Sequence, residues 1–245
     1  MIYENKQRIG NFTSSSIADL MTVSRDKKSF GAPALNYIAE KNMERKLRLP
    51  LHIVSDSKPT LWGKCMESRV FEKLGLSYKL CSQETIVHPG IDCWAGSPDA
   101  EKFDEGKTVV DIKCPFTRKS FCEFYDCNTI EKIRENHKDG EKYYWQLVSN
   151  SILTNSKYAE LIFYMPYFSE LEEVKQHSVD IEFTKAKNEF AWIFHSPENE
   201  LPYLSDDGFY KNLKCLRFEV SENDKNALIN RVKEAGKKLL KCPCR

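Results

Sequence analysis

Two aspartates and a lysine occupy positions where charge is expensive: Asp99 in Gly96-Ser97-Pro98-Asp99-Ala100, and Asp111 with Lys113 in Val110-Asp111-Ile112-Lys113-Cys114. The run 108–113 reads as a buried strand, and ionised groups inside one cost free energy unless they are paired or bound to metal. Alternate strand residues share a face, so Asp111 and Lys113 project together while Ile112 enters the opposite, apolar layer. If the runs around Asp99 and Asp111 form a hairpin, Asp99 comes level with that pair. Coulomb attraction alone allows a plain Asp111–Lys113 salt bridge. With Asp99 beside it one carboxylate is left over, and a hard divalent cation would neutralise it. Such a cation takes oxygen ligands, commonly shared with phosphate oxygens, and a neighbouring lysine can hold or help deprotonate water.

Two further side chains could join this group. Glu67 lies four residues after Gly63 in Trp62-Gly63-Lys64-Cys65-Met66-Glu67, on one helix face with a glycine that would allow close approach to another element. It is either an additional ligand or an exposed helix glutamate. Gln146 follows Tyr143-Tyr144-Trp145, and a buried amide there needs partners, which an active site supplies.

The elements that must position these residues follow from local pattern. Thr13-Ser14-Ser15-Ser16 offers N-cap hydroxyls, with Ile17, Leu20 and Met21 at helical spacing, so a short helix starts there. Helices are predicted over 32–48, 61–74, 120–124, 128–138, 141–154 and 221–240. Short strands are predicted over 84–88, 93–100 and 108–114 as a small antiparallel sheet or meander, then over 159–164, 179–183 and 190–194.

Composition sets bounds on the rest. A chain of 245 residues suits one large α/β domain, and no apolar run approaches the roughly 20 residues of a membrane helix, so a soluble, intracellular protein is expected. The N-terminus lacks the apolar core of a signal peptide. Nine cysteines without a CxxC pair are expected to be mostly reduced thiols, with Cys114 in or beside a core strand. Net charge is +1, yet residues 1–60 carry ten Lys/Arg against six Asp/Glu and residues 161–210 carry three against ten. A basic working face and an acidic back are one reading of that asymmetry, and solvated surfaces without purpose are the other.

The ordered motifs Gly96-Ser97-Pro98-Asp99 and Asp111-Ile112-Lys113-Cys114-Pro115-Phe116-Thr117, with Trp62-Gly63-Lys64 and Glu67, and with Arg8-Ile9-Gly10, Thr13 and Ser15, resemble the phage lambda exonuclease or YqaJ-like viral recombinase family. The likeness runs from residue 8 to about 155. It implies a PD-(D/E)xK, restriction-endonuclease-like α/β (α+β) core, a central mixed sheet flanked by helices. The expected layout is one nuclease domain over 1–245: a helical part with the 5′-end-binding segment (1–60), a catalytic core (61–165), and added strands with a C-terminal helix (166–245).

The resemblance implies a Mg²⁺-dependent two-metal 5′→3′ exonuclease that digests linear double-stranded DNA to 5′-mononucleotides and leaves a 3′ strand for recombination, with Mn²⁺ as a substitute metal. By the same likeness Asp99, Asp111 and the Ile112 carbonyl would bind metal, Glu67 would serve a second metal, Lys113 would orient the attacking water and Gln146 would support that lysine or water. Arg8 and Ser15 would match the pocket for the 5′-phosphate. Partners implied are DNA with 5′-phosphate ends, further copies in a trimeric ring and a single-strand annealing protein. Lys27, Lys28, Arg45, Lys46 and Arg48 are candidate phosphate contacts of such a channel. Asp111 stands where Glu is more frequent in the family, Ala100 where Gly is usual, and Val148 where a second Gln is common. The alternatives are a structure-specific or Cas4-like nuclease, for which the cysteines do not supply the four-cysteine spacing, and a non-catalytic DNA-end-binding protein.

Overall fold

The computed structural model describes residues 6–27, 29–51, 56–81, 85–104, 106–184 and 188–240. The chain runs β1 (Phe12–Thr13), a 3-10 turn (Ser14–Ser16), α1 (Ala18–Met21), α2 (Ala32–Leu47), α3 (Lys58–Lys73), β2 (Tyr78–Leu80), β3 (Ile86–Val87), β4 (Trp94–Gly96), β5 (Ala100–Lys102), β6 (Thr108–Lys113), α4 (Arg118–Tyr125), α5 (Ile130–Asn136), α6 (Gly140–Thr154), β7 (Tyr158–Tyr164), α7 (Leu171–Thr184), α8 (Ala191–His195), β8 (Leu213–Glu219) and α9 (Glu222–Gly236). Local chemistry sets several of these boundaries. Thr117, Thr129 and Ser221 cap α4, α5 and α9 by accepting the N–H of Ser120, Lys132 and Asp224. Asn155 closes α6 in the left-handed region at φ 53°, which Asn tolerates better than most residues.

The strands form two mixed sheets, ordered β1-β4-β3 and β2-β5-β6-β7-β8. The expected single meander over 84–114 is thus divided: β3 and β4 belong to the small sheet, β5 and β6 to the large one, and the chain crosses between them at Ser97-Pro98-Asp99. The anticipated hairpin is present in the large sheet, with Ala100 opposite Val110. Strands β6 and β7 run parallel, and a parallel pair needs a long crossover, here carried by α4, α5 and α6.

Both faces of the β6–β7 pair are covered, so these strands read as nearly continuous apolar runs. On one face Val109, Leu161 and Phe163 pack with Phe121, Phe124, Ile133, Leu147 and Val148 of α4–α6. On the other, Val110, Ile112, Ile162 and Tyr164 pack with Trp62, Met66 and Val70 of α3 and with Leu171 and Val174 of α7. Each such large side chain, fully buried, contributes roughly 1.5–3 kcal/mol. Asp111 is carried into the first face by the same alternation that buries Val109.

Two predicted strands are helices instead. Residues 179–183 lie in α7, where buried Leu171, Val174 and Ser178 follow a three-to-four-residue period that overrides the alternation of Val179 and Ile181. Residues 190–194 become the N-cap and first turn of α8, whose Ile193 is buried. Strands β2 and β8 and the start of α7 went unassigned from sequence. Part of the acidic stretch has a structural use, because Glu173 pairs with Arg69 of α3 at 2.7 Å and Glu170 pairs with Lys73 at 2.6 Å. No helix among the described residues is long and apolar enough to cross a membrane.

Glycine roles divide sharply. A Cβ on Gly96 would meet Ser14 Oγ, Leu153 Cδ1 at 2.6 Å and Asn150 Oδ1 at 2.7 Å, so the 3-10 turn, β4 and α6 can touch only because this residue has no side chain. Gly63 departs from expectation, since a Cβ there meets nothing within 4 Å and no close approach depends on it. Gly96→Ala should therefore lower the unfolding free energy by about 1–3 kcal/mol in urea titrations. Gly63→Ala, inside α3, should raise it by up to about 1 kcal/mol.

Candidate active site

The C-terminal end of β6 brings the predicted charges together. Asp111 is fully buried, and its Oδ2 lies 2.7 Å from Lys113 Nζ. Its Oδ1 accepts a 2.7 Å hydrogen bond from Gln146 Nε2 of α6. The salt bridge expected on Coulombic grounds therefore exists, and Gln146 holds the carboxylate rather than the lysine. Asp99 reaches the same place from the crossing between the sheets: its Oδ2 accepts the Ile112 N–H at 2.7 Å. The N–H and C=O of one strand residue leave on the same edge, so the Ile112 carbonyl also faces the Asp99 side.

Electrostatics confirm how crowded this corner is. Burial, then the charges of Asp111 and Glu67, push Asp99 well above the usual carboxylate range, against the opposing pull of Lys113 and the Ile112 N–H. Burial alone would lower Lys113, but Asp111 and Asp99 outweigh it and hold the lysine above its ordinary value as an ammonium. That ammonium also sits over the Tyr143 ring, 5.1 Å from its centroid. Burial and the Glu67 and Asp99 charges raise the Cys114 thiol, which stays protonated among apolar neighbours at the cleft wall.

Glu67, on α3, lines a cleft of about 630 Å³ together with Ile112, Lys113 and Tyr143. The donors here are all oxygen, and three interacting carboxylates face one ammonium, which is the charge balance a divalent cation corrects. Among the described residues no group of three or more His, Cys, Asp or Glu side chains is assembled at metal-ligand spacing. Asp111 is turned to Lys113 and Asp99 to the Ile112 N–H. The donor chemistry and charge thus fit a hard cation, with the first ligands engaged in protein contacts.

Arg8 and Ser15 also meet, with Arg8 Nη2 donating to Ser15 Oγ at 3.4 Å. Their segment is built on α2. Gly10, at φ 69°, donates its N–H to Glu44 Oε2 at 2.8 Å, while Arg45 Nε donates to the Gly10 carbonyl at 2.7 Å. Arg45 also reaches Asn11 and the Leu240 carbonyl, so it is a structural clamp and not the free channel cation its sequence position suggested. Lys27, Lys46 and Arg48 are exposed, and Lys28 lies outside the described residues, as do Cys242 and Cys244.

Sequence reasoning missed the part that joins these two groups. Ser149 Oγ on α6 bonds Ser14 Oγ at 2.8 Å and accepts Trp94 Nε1 at 2.9 Å. Ser149 is three residues after Gln146, so the Asp111 contact and the Ser14–Ser15 turn hang from adjacent positions of one helix face. The signal was present in Gln146, Ser149, Asn150 and Ser151, polar residues clustered inside an otherwise apolar helix.

The family model for the YqaJ-like viral recombinase domain matches residues 5–157. Among solved structures, an alkaline exonuclease (LHK-Exo) from Laribacter hongkongensis is similar at TM-score 0.58 and 18% identity, covering 94% of this chain and 88% of that one. The same enzyme in complex with dAMP gives TM-score 0.55 at 18% identity, with 95% and 87% covered. A phage-related exonuclease from Haemophilus somnus 129PT gives 0.58 at 15% identity, covering 93% and 91%. No curated protein matches the chain. At these identities the structural likeness establishes the fold, that of the alkaline exonucleases. The family match spans well over half of the sequence, and the chain belongs to the YqaJ-like viral recombinase family.

Proposed function

We propose that this chain is a divalent-metal-dependent deoxyribonuclease, and within that class a 5′→3′ exonuclease that digests one strand of linear duplex DNA to 5′-mononucleotides and leaves a 3′ overhang. Family and fold support the DNA exonuclease reading. The observation that carries the finer one is the seating of Asp99 on the Ile112 N–H, beside the buried Asp111–Lys113 pair.

Asp99, Asp111 and the Ile112 carbonyl would hold one Mg²⁺, or Mn²⁺ in its place, and Glu67 would contribute to a second. A cation there supplies positive charge against the phosphate being cleaved. Gln146 fixes the Asp111 carboxylate so that it cannot rotate away from the site. Lys113, held as an ammonium, acts by donating hydrogen bonds that orient the attacking water and the phosphate oxygens. Arg8 and Ser15 grip the terminal 5′-phosphate, as a guanidinium and a hydroxyl suit. Because that anchor and Gln146 are tied to α6 one helical turn apart, the anchor works as a ruler that presents the first linkage for cleavage.

In this reading the whole chain acts as one nuclease unit. Copies close into a ring around DNA, which lets a protein of net charge +1 stay on its substrate, and the 3′ strand passes to an annealing protein.

With Mg²⁺, linear duplexes bearing 5′-phosphates should be degraded faster than 5′-hydroxyl ends, while closed circles stay intact in gel assays; cutting of circles would sink the assignment. Lys113→Ala should abolish digestion yet retain DNA-end binding in a mobility shift. Asp99→Asn removes one of three neighbouring acids while keeping an oxygen for the Ile112 N–H. It should raise the melting temperature without metal, and it should lose both the Mg²⁺-dependent rise in melting temperature and the cleavage.

A further inference from the structure

The cleft that begins at Lys113 continues away from the Arg8–Ser15 turn, past residues that the proposed chemistry does not use. Its far end is lined by Thr117, Ser120, Lys138 and Asp139. The hydrogen-bond polarity there is fixed by the buried ring of His137. The Asp139 N–H donates to His137 Nδ1 at 3.1 Å, so Nδ1 carries no proton. Burial keeps the imidazole neutral, its ordinary value lowered, and its one proton is therefore on Nε2. Nε2 lies 3.2 Å from Ser120 Oγ and donates to it, which leaves the Ser120 proton free to point into the cleft. Thr117 Oγ1 likewise accepts the Ser120 N–H at 3.2 Å, and its own proton is free. Two hydroxyls whose protons are free to donate, beside the exposed ammonium of Lys138, form a surface that suits a ligand rich in acceptors.

Position along α6 says which acceptor this is. Tyr143, at the cleft, Gln146, at Asp111, and Ser149, at the Ser14 turn, succeed one another down the helix at spacings of three residues. At 1.5 Å per residue they span about 9 Å. A strand whose 5′-end rests at Ser15 and whose first linkage lies at Asp99 and Asp111 must continue toward Tyr143 and the cleft.

We propose that Thr117, Ser120 and Lys138 form a subsite for the phosphodiester immediately 3′ of the bond to be cleaved. The subsite rests on the exonuclease reading for its register, but its ligand, a single-stranded phosphodiester, can be tested without cleavage. It would hold the strand in line and receive the linkage that is cut next.

The test uses 5′-phosphorylated single-stranded oligonucleotides with a 3′ fluorophore, either all-phosphodiester or with a neutral methylphosphonate at the second linkage. Binding is read by anisotropy in EDTA, and digestion separately in Mg²⁺. The full-length protein should bind the charged strand roughly tenfold more tightly, the scale of hydrogen bonds to a charged group. Lys138→Met and Ser120→Ala should each erase much of that difference while binding the neutralised strand as well as the parent does. Equal affinity of the unmodified protein for both strands, or undiminished discrimination in both variants, overturns the subsite. Discrimination that persists in a protein unable to digest either strand upholds the subsite and overturns the exonuclease reading instead.

Discussion

The hydrogen bond from Gln146 to a buried Asp111 is the constraint on which the rest of the site depends. A carboxylate inside the β6 layer is costly unless it is compensated: Gln146 hydrogen-bonds Oδ1, while Oδ2 has only the charge of Lys113 beside it and no hydrogen bond. That requirement fixes the rotation of α6 about its axis. Once α6 is fixed, Ser149 faces the Ser14 turn and Tyr143 faces the cleft, so the buried carboxylate, the Arg8–Ser15 segment and the cleft share one rigid reference. A site carried on a helix and a strand is held more closely than one carried on loops.

This corner is stabilised against its own chemistry. Burial and two neighbouring carboxylates raise the proton affinity of Asp99, an arrangement that works against stability, and the surrounding apolar layers must offset it. The two clusters of large side chains on either face of β6 and β7 supply that offset. The small sheet buries Phe12 and Trp94 completely, its strand β4 delivers Gly96 and then Asp99 across a single turn, and its Trp94 bonds the serine that holds the Ser14 turn.

The cluster of charged and amide side chains was more legible in the sequence than the scaffold that gathers it. Asp99, Asp111, Lys113 and Gln146 were legible because charged and amide side chains in apolar runs demand partners, and the structure supplies them within hydrogen-bonding distance. Helices α2, α3, α5, α6 and α9 were legible from period and caps. The strands assigned to 179–183 and 190–194 failed because short alternating runs fit either period, and the burial of Leu171, Val174 and Ser178 in α7 and of Ile193 in α8 decided for the helix. The division into two sheets was not legible, since Ser97-Pro98 looks like a turn whether the chain reverses or crosses. Arg45 misled because a lone basic residue on a helix resembles a surface charge, and its three acceptors come from segments distant in sequence.

That arginine joins positions that sequence order keeps far apart. Its guanidinium binds the carbonyls of Gly10 and Leu240 at once, so the segment that would recognise a DNA terminus and the stretch following the last helix close over a single planar group. A pull or a bound partner at residue 240 would act first on Gly10 and Asn11, and through the Ser14–Ser149 contact it would reach the helix that holds Asp111. The far end of the chain and the buried carboxylate are in that sense coupled through one arginine and one serine.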